Sequence, residues 1–253
     1  MRKVKLARIV KYCDQTLQIR ASKDWEGALN GLQVENRGTV NRLAAAVDAS
    51  LATCQKAIHA GAQLLIVHHG LFWGPTQPWT GRRYELLRLL LDHDLAVYSS
   101  HLPLDEHPEW GNNVLICKAL GLTGIRRFFE SKGRRIGFQA RAAIDRETLR
   151  EKLESILGAA PLLIPGGPRV CRRIGVVSGG AGGELKQAAA EGVDTFITGE
   201  GPHWTYALAE ELGVNVFYGG HYATETFGVK ALASALGKRF ELPWCFVDHP
   251  TGL

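Results

Sequence analysis

The residues best suited to chemistry in this chain are histidines and carboxylates gathered in short polar stretches. His68 and His69 are adjacent and close the run Leu64-Leu65-Ile66-Val67. His101 is followed four residues later by Asp105, and His221 four residues later by Glu225. Glu200 and His203 share the run Gly199-Glu200-Gly201-Pro202-His203. Neutral imidazole and carboxylate suit zinc, ferrous iron and manganese, and no cysteine accompanies them to build a structural thiolate site. A single His-x-x-x-Asp or His-x-x-x-Glu pair is most simply a surface helix pair. Two such pairs, together with a His-His tip, point to metal. Three protein ligands suffice for one catalytic ion. Five or more, two of them carboxylates able to bridge, imply two ions about 3.5–4 Å apart that hold a hydroxide between them and clamp a carbonyl or phosphoryl oxygen.

Such residues need strand ends to position them. Leu64–Val67 reads as a buried strand, and in open α/β sheets ligands sit beyond the carboxyl ends of strands. Leu43–Val47 is a strand, Asp48-Ala49-Ser50 caps the helix after it, and Gly61 stops that helix before the histidine strand. This is a βαβ unit. Helical spacing is also expected over 5–20, 84–93, 112–120, 146–157, 184–191, 204–212 and 223–236. Short strands are expected at 95–99, 135–142, 162–164, 173–177, 195–198, 214–217 and 245–247. Residues 70–81 form a loop. The glycine run 179–183 reads as a tight turn at a helix start. It could touch an anion, but it lacks the Lys-Ser/Thr of a phosphate loop.

An internal repeat aims these tips at one place. Residues 42–73 match 173–204 at an offset of 131, pairing Ile66 with Ile197, Gly70 with Gly201 and His69 with Glu200. Tyr98-Ser99-Ser100-His101 matches Tyr218-Gly219-Gly220-His221 at an offset of 120, and Asp105 meets Glu225. The expected fold class is α/β: two pseudo-repeated α/β halves around mixed sheets, with a small inserted middle lobe. The corresponding boundaries are 1–125 for the half with the His-His motif, 126–170 for the middle lobe, and 171–253 for the half that completes the same site.

The bulk composition narrows the function classes. The chain has 253 residues, 45% hydrophobic and 22% charged, enough for one large domain or two lobes. No apolar run approaches a membrane span and no signal-peptide core follows the basic start Met1-Arg2-Lys3-Val4-Lys5, so a cytoplasmic protein is expected. The five cysteines, scattered and without a C-x-x-C pair, read as reduced, mostly buried thiols. The net charge of +5 and the arginine doublets at 82–83, 126–127, 134–135 and 172–173 could attract nucleic acid, but no recognition motif accompanies them.

The chain resembles the NIF-three-like family of dinuclear-metal proteins, whose members carry the label GTP cyclohydrolase type 2-like. The resemblance covers most of the length. It rests on Asn30-Gly31-Leu32-Gln33-Val34, Val67-His68-His69-Gly70-Leu71-Phe72-Trp73, His101 to Asp105, Thr198-Gly199-Glu200, and Gly220-His221-Tyr222-Ala223-Thr224-Glu225. It implies metal ligands at His68, His69, Asp105, His221 and Glu225, two divalent ions (zinc, iron or manganese), and a toroidal homohexamer. The family commonly has His-Thr-x-Leu-Asp where this chain has His101-Leu102-Pro103-Leu104-Asp105, which places His101 behind the ligands rather than among them. Glu200 is the candidate general base and His203 a positioning residue. Trp73, Trp79 and Trp204 read as core or interface residues. The expected function is a metal-dependent hydrolase acting on a small anionic or nucleotide-like substrate. The alternative is a non-enzymatic ring that binds nucleic acid or a regulatory partner.

Overall fold

The computed structural model describes residues 2–75 and 77–253, so Met1 of the basic start and Thr76 of the 70–81 loop lie outside the described residues. The elements run β1 (Val4–Lys5), α1 (Leu6–Thr16), β2 (Gly31–Val34), β3 (Thr39–Val40), β4 (Leu43–Asp48), α2 (Leu51–His59), β5 (Leu64–His69), α3 (Arg82–Asp92), β6 (Ala96–Ser99), α4 (Leu102–Asp105) and α5 (Asn112–Ala119). They continue with β7 (Arg126–Ser131), β8 (Arg134–Asp145), α6 (Arg146–Leu157), β9 (Leu162–Pro165), β10 (Val170–Val176), a 3-10 turn (Ala181–Glu184), α7 (Leu185–Ala190), β11 (Thr195–Thr198), α8 (Thr205–Leu212), β12 (Asn215–Tyr218), α9 (His221–Phe240) and β13 (Trp244–Phe246). The chain forms two compact units. Unit 1 comprises 1–104 and 228–249, and unit 2 comprises 105–227 and 250–253.

Unit 1 is built on a five-stranded sheet of order β13-β4-β5-β6-β2, parallel except for the antiparallel edge strand β2. Its central strands are buried along nearly their whole length and apolar up to their polar carboxyl ends, as strands of a parallel sheet covered on both faces are. The core holds Ala44, Ala46, Leu65, Val67, Val97 and Leu90. Helix α2 starts at a capping box, with Ser50 Oγ accepting from the Thr53 N–H and Thr53 Oγ1 from the Ser50 N–H.

Unit 2 carries a six-stranded sheet of order β7-β8-β10-β11-β12-β9. β10, β11 and β12 are parallel, and the flanking strands β8 and β9 run antiparallel to their neighbours. Residues 126–170, expected as a separate middle lobe, supply β7, β8 and β9 to this same sheet. Their alternating, charged composition reflects position at the sheet margins, where one face or edge meets water. The main division falls at 104/105, inside α4, rather than at 125/126. The expected helix 146–157 is α6, resting on Leu149 and Leu153.

The repeat is visible in the hydrogen-bond register. Leu43 pairs with Leu64 and Ala45 with Ile66 in unit 1, while Ile174 pairs with Thr195 and Val176 with Ile197 in unit 2, the same pairs shifted by 131. The third strand is displaced by one residue. Ile66 faces Tyr98, but Ile197 faces Phe217. His101 therefore follows its strand end by two residues and His221 by three. Among the described residues no helix is long and apolar enough to cross a membrane.

Candidate metal centre

In unit 1, β5 delivers His68 and His69 at its carboxyl end, and the turn after β6 delivers His101. One ring nitrogen from each lies within 4.8 Å of the others. The imidazole centroids stand 4.9 Å apart for His68–His69 and for His68–His101, and 5.6 Å apart for His69–His101. A ring nitrogen of His101 is thus grouped with those of His68 and His69 as a further candidate ligand.

Each ring is held from behind. His68 Nδ1 lies 3.0 Å from the Ser100 carbonyl, His69 Nδ1 2.8 Å from Asp48 Oδ1, and His101 Nδ1 2.8 Å from Asp24 Oδ1. A carbonyl or an ionised carboxylate can only accept, so Nδ1 carries the proton in all three and the lone pair of the neutral ring sits on Nε2. This is the arrangement that orients histidines toward a metal and makes them better donors. Asp24 is itself fixed by the side chain of Asn30 at 2.8 Å, by the Trp25 N–H at 2.7 Å and by the Leu102 N–H at 3.1 Å. Burial pushes its carboxyl up, but the hydrogen bonds and charge of His101, with Asn30 and Trp25, outweigh that and hold it below the ordinary carboxylate value.

In unit 2, the turn after β12 and the first turns of α9 place His221 and Glu225 on one helix face. His221 Nε2 lies 3.3 Å from Glu225 Oε2, and His221 Nδ1 lies 2.7 Å from Glu200 Oε1. Two ligands on a tetrahedral ion at about 2.0–2.1 Å are separated by about 3.3–3.4 Å, so this pair already has the spacing of a chelate. Glu200, at the end of β11, plays for His221 the part that Asp48 plays for His69. In this arrangement the His221 pKa is raised to about 9, first by its hydrogen bond to Glu225, against burial, with Glu200 adding to the rise. A proton thus holds the place a cation would take.

Gly179 makes room for this pair. Its φ is +70°, and a Cβ there would press into the Glu225 carboxylate and stand 3.3 Å from His221 Nε2. The glycine run therefore backs a carboxylate, which disfavours an anion at that spot. Asp105 is buried, with Oδ1 accepting from Asn112 Nδ2 at 2.8 Å and from Ser178 Oγ at 3.3 Å. His203 is exposed on the turn before α8.

Residues 4–251 match the family model described as Duf34/NIF3 (NGG1p interacting factor 3). The chain belongs to the Duf34/NIF3 family. Two of its curated relatives, each called GTP cyclohydrolase 1 type 2 homolog, come from Deinococcus radiodurans and Pyrococcus horikoshii. Each is 42% identical, covering 97% of this chain and 93% or 98% of the relative. Among solved structures, TTHA1606 from Thermus thermophilus matches with a TM-score of 0.91 and 39% identity over 99% of this chain and 100% of that one. The protein ybgI, described as of unknown function, matches with a TM-score of 0.92 and 35% identity over the same shares. The α/β fold is shared with these two solved structures.

Sequence reasoning passed over Asp24, Asp48 and Gly179 as functional residues in this Duf34/NIF3 chain. Asp48 is visible in the sequence only as part of a helix cap. The signal that finds Asp48 is the pairing of β4 with β5, which sets it beside His69. Several of the arginines are held locally: Arg127 donates to the carbonyls of Glu106 and Arg135, Arg134 pairs with Glu106, and Arg82 with Glu85.

Proposed function

We propose that the two clusters serve one dinuclear metal centre, and that this Duf34/NIF3 protein is a metal-dependent hydrolase of a small anionic or nucleotide-like substrate. The observation that carries the metal reading is the common setting of the four histidines. In His68, His69, His101 and His221 an acceptor engages Nδ1, which directs ligation to Nε2. His68, His69, Asp105, His221 and Glu225 are the proposed ligands, with His101 now beside them. Asp105 follows His101 by four residues, so the chain cannot carry it more than about 14 Å away. Six side chains, His68, His69, His101, Asp105, His221 and Glu225, exceed the four positions of one tetrahedral ion, which supports two ions. When bound, a pair of divalent zinc, iron or manganese ions supplies Lewis-acid activation of water and of a carbonyl or phosphoryl oxygen.

The chain's own groups then have defined work. Asp48, Asp24 and the Ser100 carbonyl hold protons on Nδ1 of their histidines and keep those rings in one orientation. Glu200 is 47% exposed, against 3% for Glu225, so it can exchange protons with water and serves as the proposed general base. Assembly as a homohexamer is part of the same proposal. Leu162, Trp204 and Tyr206, each about half or more exposed at the β9 edge or on and beside α8, give it apolar contact surface. Elemental analysis of protein purified without chelator, followed by a metal-supplemented hydrolysis panel, tests the reading. Two ions per chain and turnover lost in Glu225→Gln are expected. Metal-free protein, or turnover unchanged in that variant, contradicts it.

A further inference from the structure

We infer that Trp73, backed by the loop that carries Trp25 and Leu29, forms an aromatic subsite beside the unit 1 histidine cluster for a flat aromatic or heteroaromatic ring of the substrate. This inference rests on the hydrolase reading and names the kind of molecule that centre takes.

The tryptophans of the 70–81 loop have different settings. Trp79 packs edge-to-face on Phe72 at 5.9 Å and lies under the Arg83 guanidinium at 4.8 Å, so its ring is taken up by its own loop. Trp73 instead turns to the histidines. Its ring centroid stands 4.9 Å from that of His101 and 5.5 Å from that of His69, steeply inclined to both. Its indole N–H donates to the Gly70 carbonyl at 3.0 Å, which fixes the ring's orientation. Yet 40% of the residue is open to solvent, beside nitrogens placed for metal.

A second loop extends the same surface. The Leu29 N–H donates to the Phe72 carbonyl at 3.4 Å, and Gly27 lies so close to Gly74 that a Cβ would not fit between them. Trp25 and Leu29 on this loop are 49% and 51% exposed. The loop is tied to the centre itself, because the Trp25 N–H and His101 Nδ1 share Asp24 Oδ1. Trp73 is therefore kept partly in water against two candidate metal-binding rings, while Trp25 and Leu29 are exposed on a loop whose backbone is anchored to Asp24 and to Phe72 beside Trp73. Burying them would lower the free energy of the isolated chain. Exposed apolar surface beside a polar reaction centre is the usual composition of a ligand pocket wall. An indole face gains most from a planar π-system, which it binds with little regard to the ring's substituents.

The test is calorimetric titration of the full-length, metal-supplemented protein with adenosine 5′-monophosphate, uridine 5′-monophosphate and ribose 5-phosphate. These probes share a phosphoribose and differ in the ring. At least one nucleotide is expected to bind about tenfold or more tightly than ribose 5-phosphate. That advantage should fall below about threefold in Trp73→Leu and be largely kept in Trp73→Phe, with metal content by elemental analysis unchanged in both. Equal binding of all three probes to the wild type, no binding of any, or an advantage untouched in Trp73→Leu overturns the subsite. So does loss of metal in both variants, which would make Trp73 a support for the histidines alone. Absence of metal from the wild type refutes the hydrolase reading separately, since ring and ring-free probes can still be compared in that protein.

Discussion

The two clusters are built by repeated elements but are not equivalent. Unit 1 offers three imidazoles, with Asp24 behind His101 only 5% exposed at its side chain. Unit 2 offers one imidazole and two buried carboxylates, Glu225 on the same helix face and Asp105, with the more open Glu200 behind His221. The nitrogen-rich cluster is held from behind by Asp24, Asp48 and a carbonyl. The oxygen-rich cluster carries the groups that can bridge, take up protons and exchange them with water. Under the proposed function, the same βαβ framework takes a holding role in one copy and a reacting role in the other.

That contrast can be broken in order of expected effect. Replacing His68, fully buried at the strand end, with Ala should weaken metal binding by more than about 100-fold, beyond the usual cost of losing a supporting group, read by competition with a chelating dye. Gly179→Val should cripple the unit 2 cluster alone. The new side chain invades Glu225, and the positive φ adds about 1–3 kcal/mol of backbone strain. Lost turnover with retained binding of one ion would fit; unchanged turnover would remove the contrast. Asp24→Asn and Asp48→Asn should each cost about 10–100-fold in metal affinity. Asp24→Asn should cost more, since Asp48 is 36% exposed and water can replace it. Equal losses would argue that burial behind the ligands is irrelevant.

The smallest effect concerns the core. Burial pushes Cys54 and Cys117 up to about 12, with Cys13 higher still. These thiols should stay unreactive to a disulfide reagent at pH 8, while half-buried Cys245 reacts. Since an unfolded thiol ionises near 9.0, raising the pH above that value favours the unfolded chain, and stability should fall from about pH 9 upward.

Much of this was legible in the residues. Apolar runs ending in His-His or Thr-Gly-Glu marked the parallel strands, and the 131-residue offset reappears in their pairing. The reading went astray where packing context decides. Residues 126–170 looked like a separate lobe because marginal strands alternate and carry charge as a small independent sheet would. The altered motif around His101 says nothing of where Asp24 turns its ring, so its grouping with His68 and His69 shows only in the structure. The carboxylates that orient the histidines come from 21 and 77 residues away in sequence, so no local spacing betrays them.

The central claim is that both clusters close on one pair of ions. Crystals of the metal-supplemented protein, measured at the absorption edge of the bound metal, test it most directly. The account predicts two anomalous peaks per chain about 3.5–4 Å apart, with the unit 1 histidines and the His221–Glu225 pair both in their coordination spheres. A single peak held by one cluster alone, or peaks too distant to share a ligand, would contradict it.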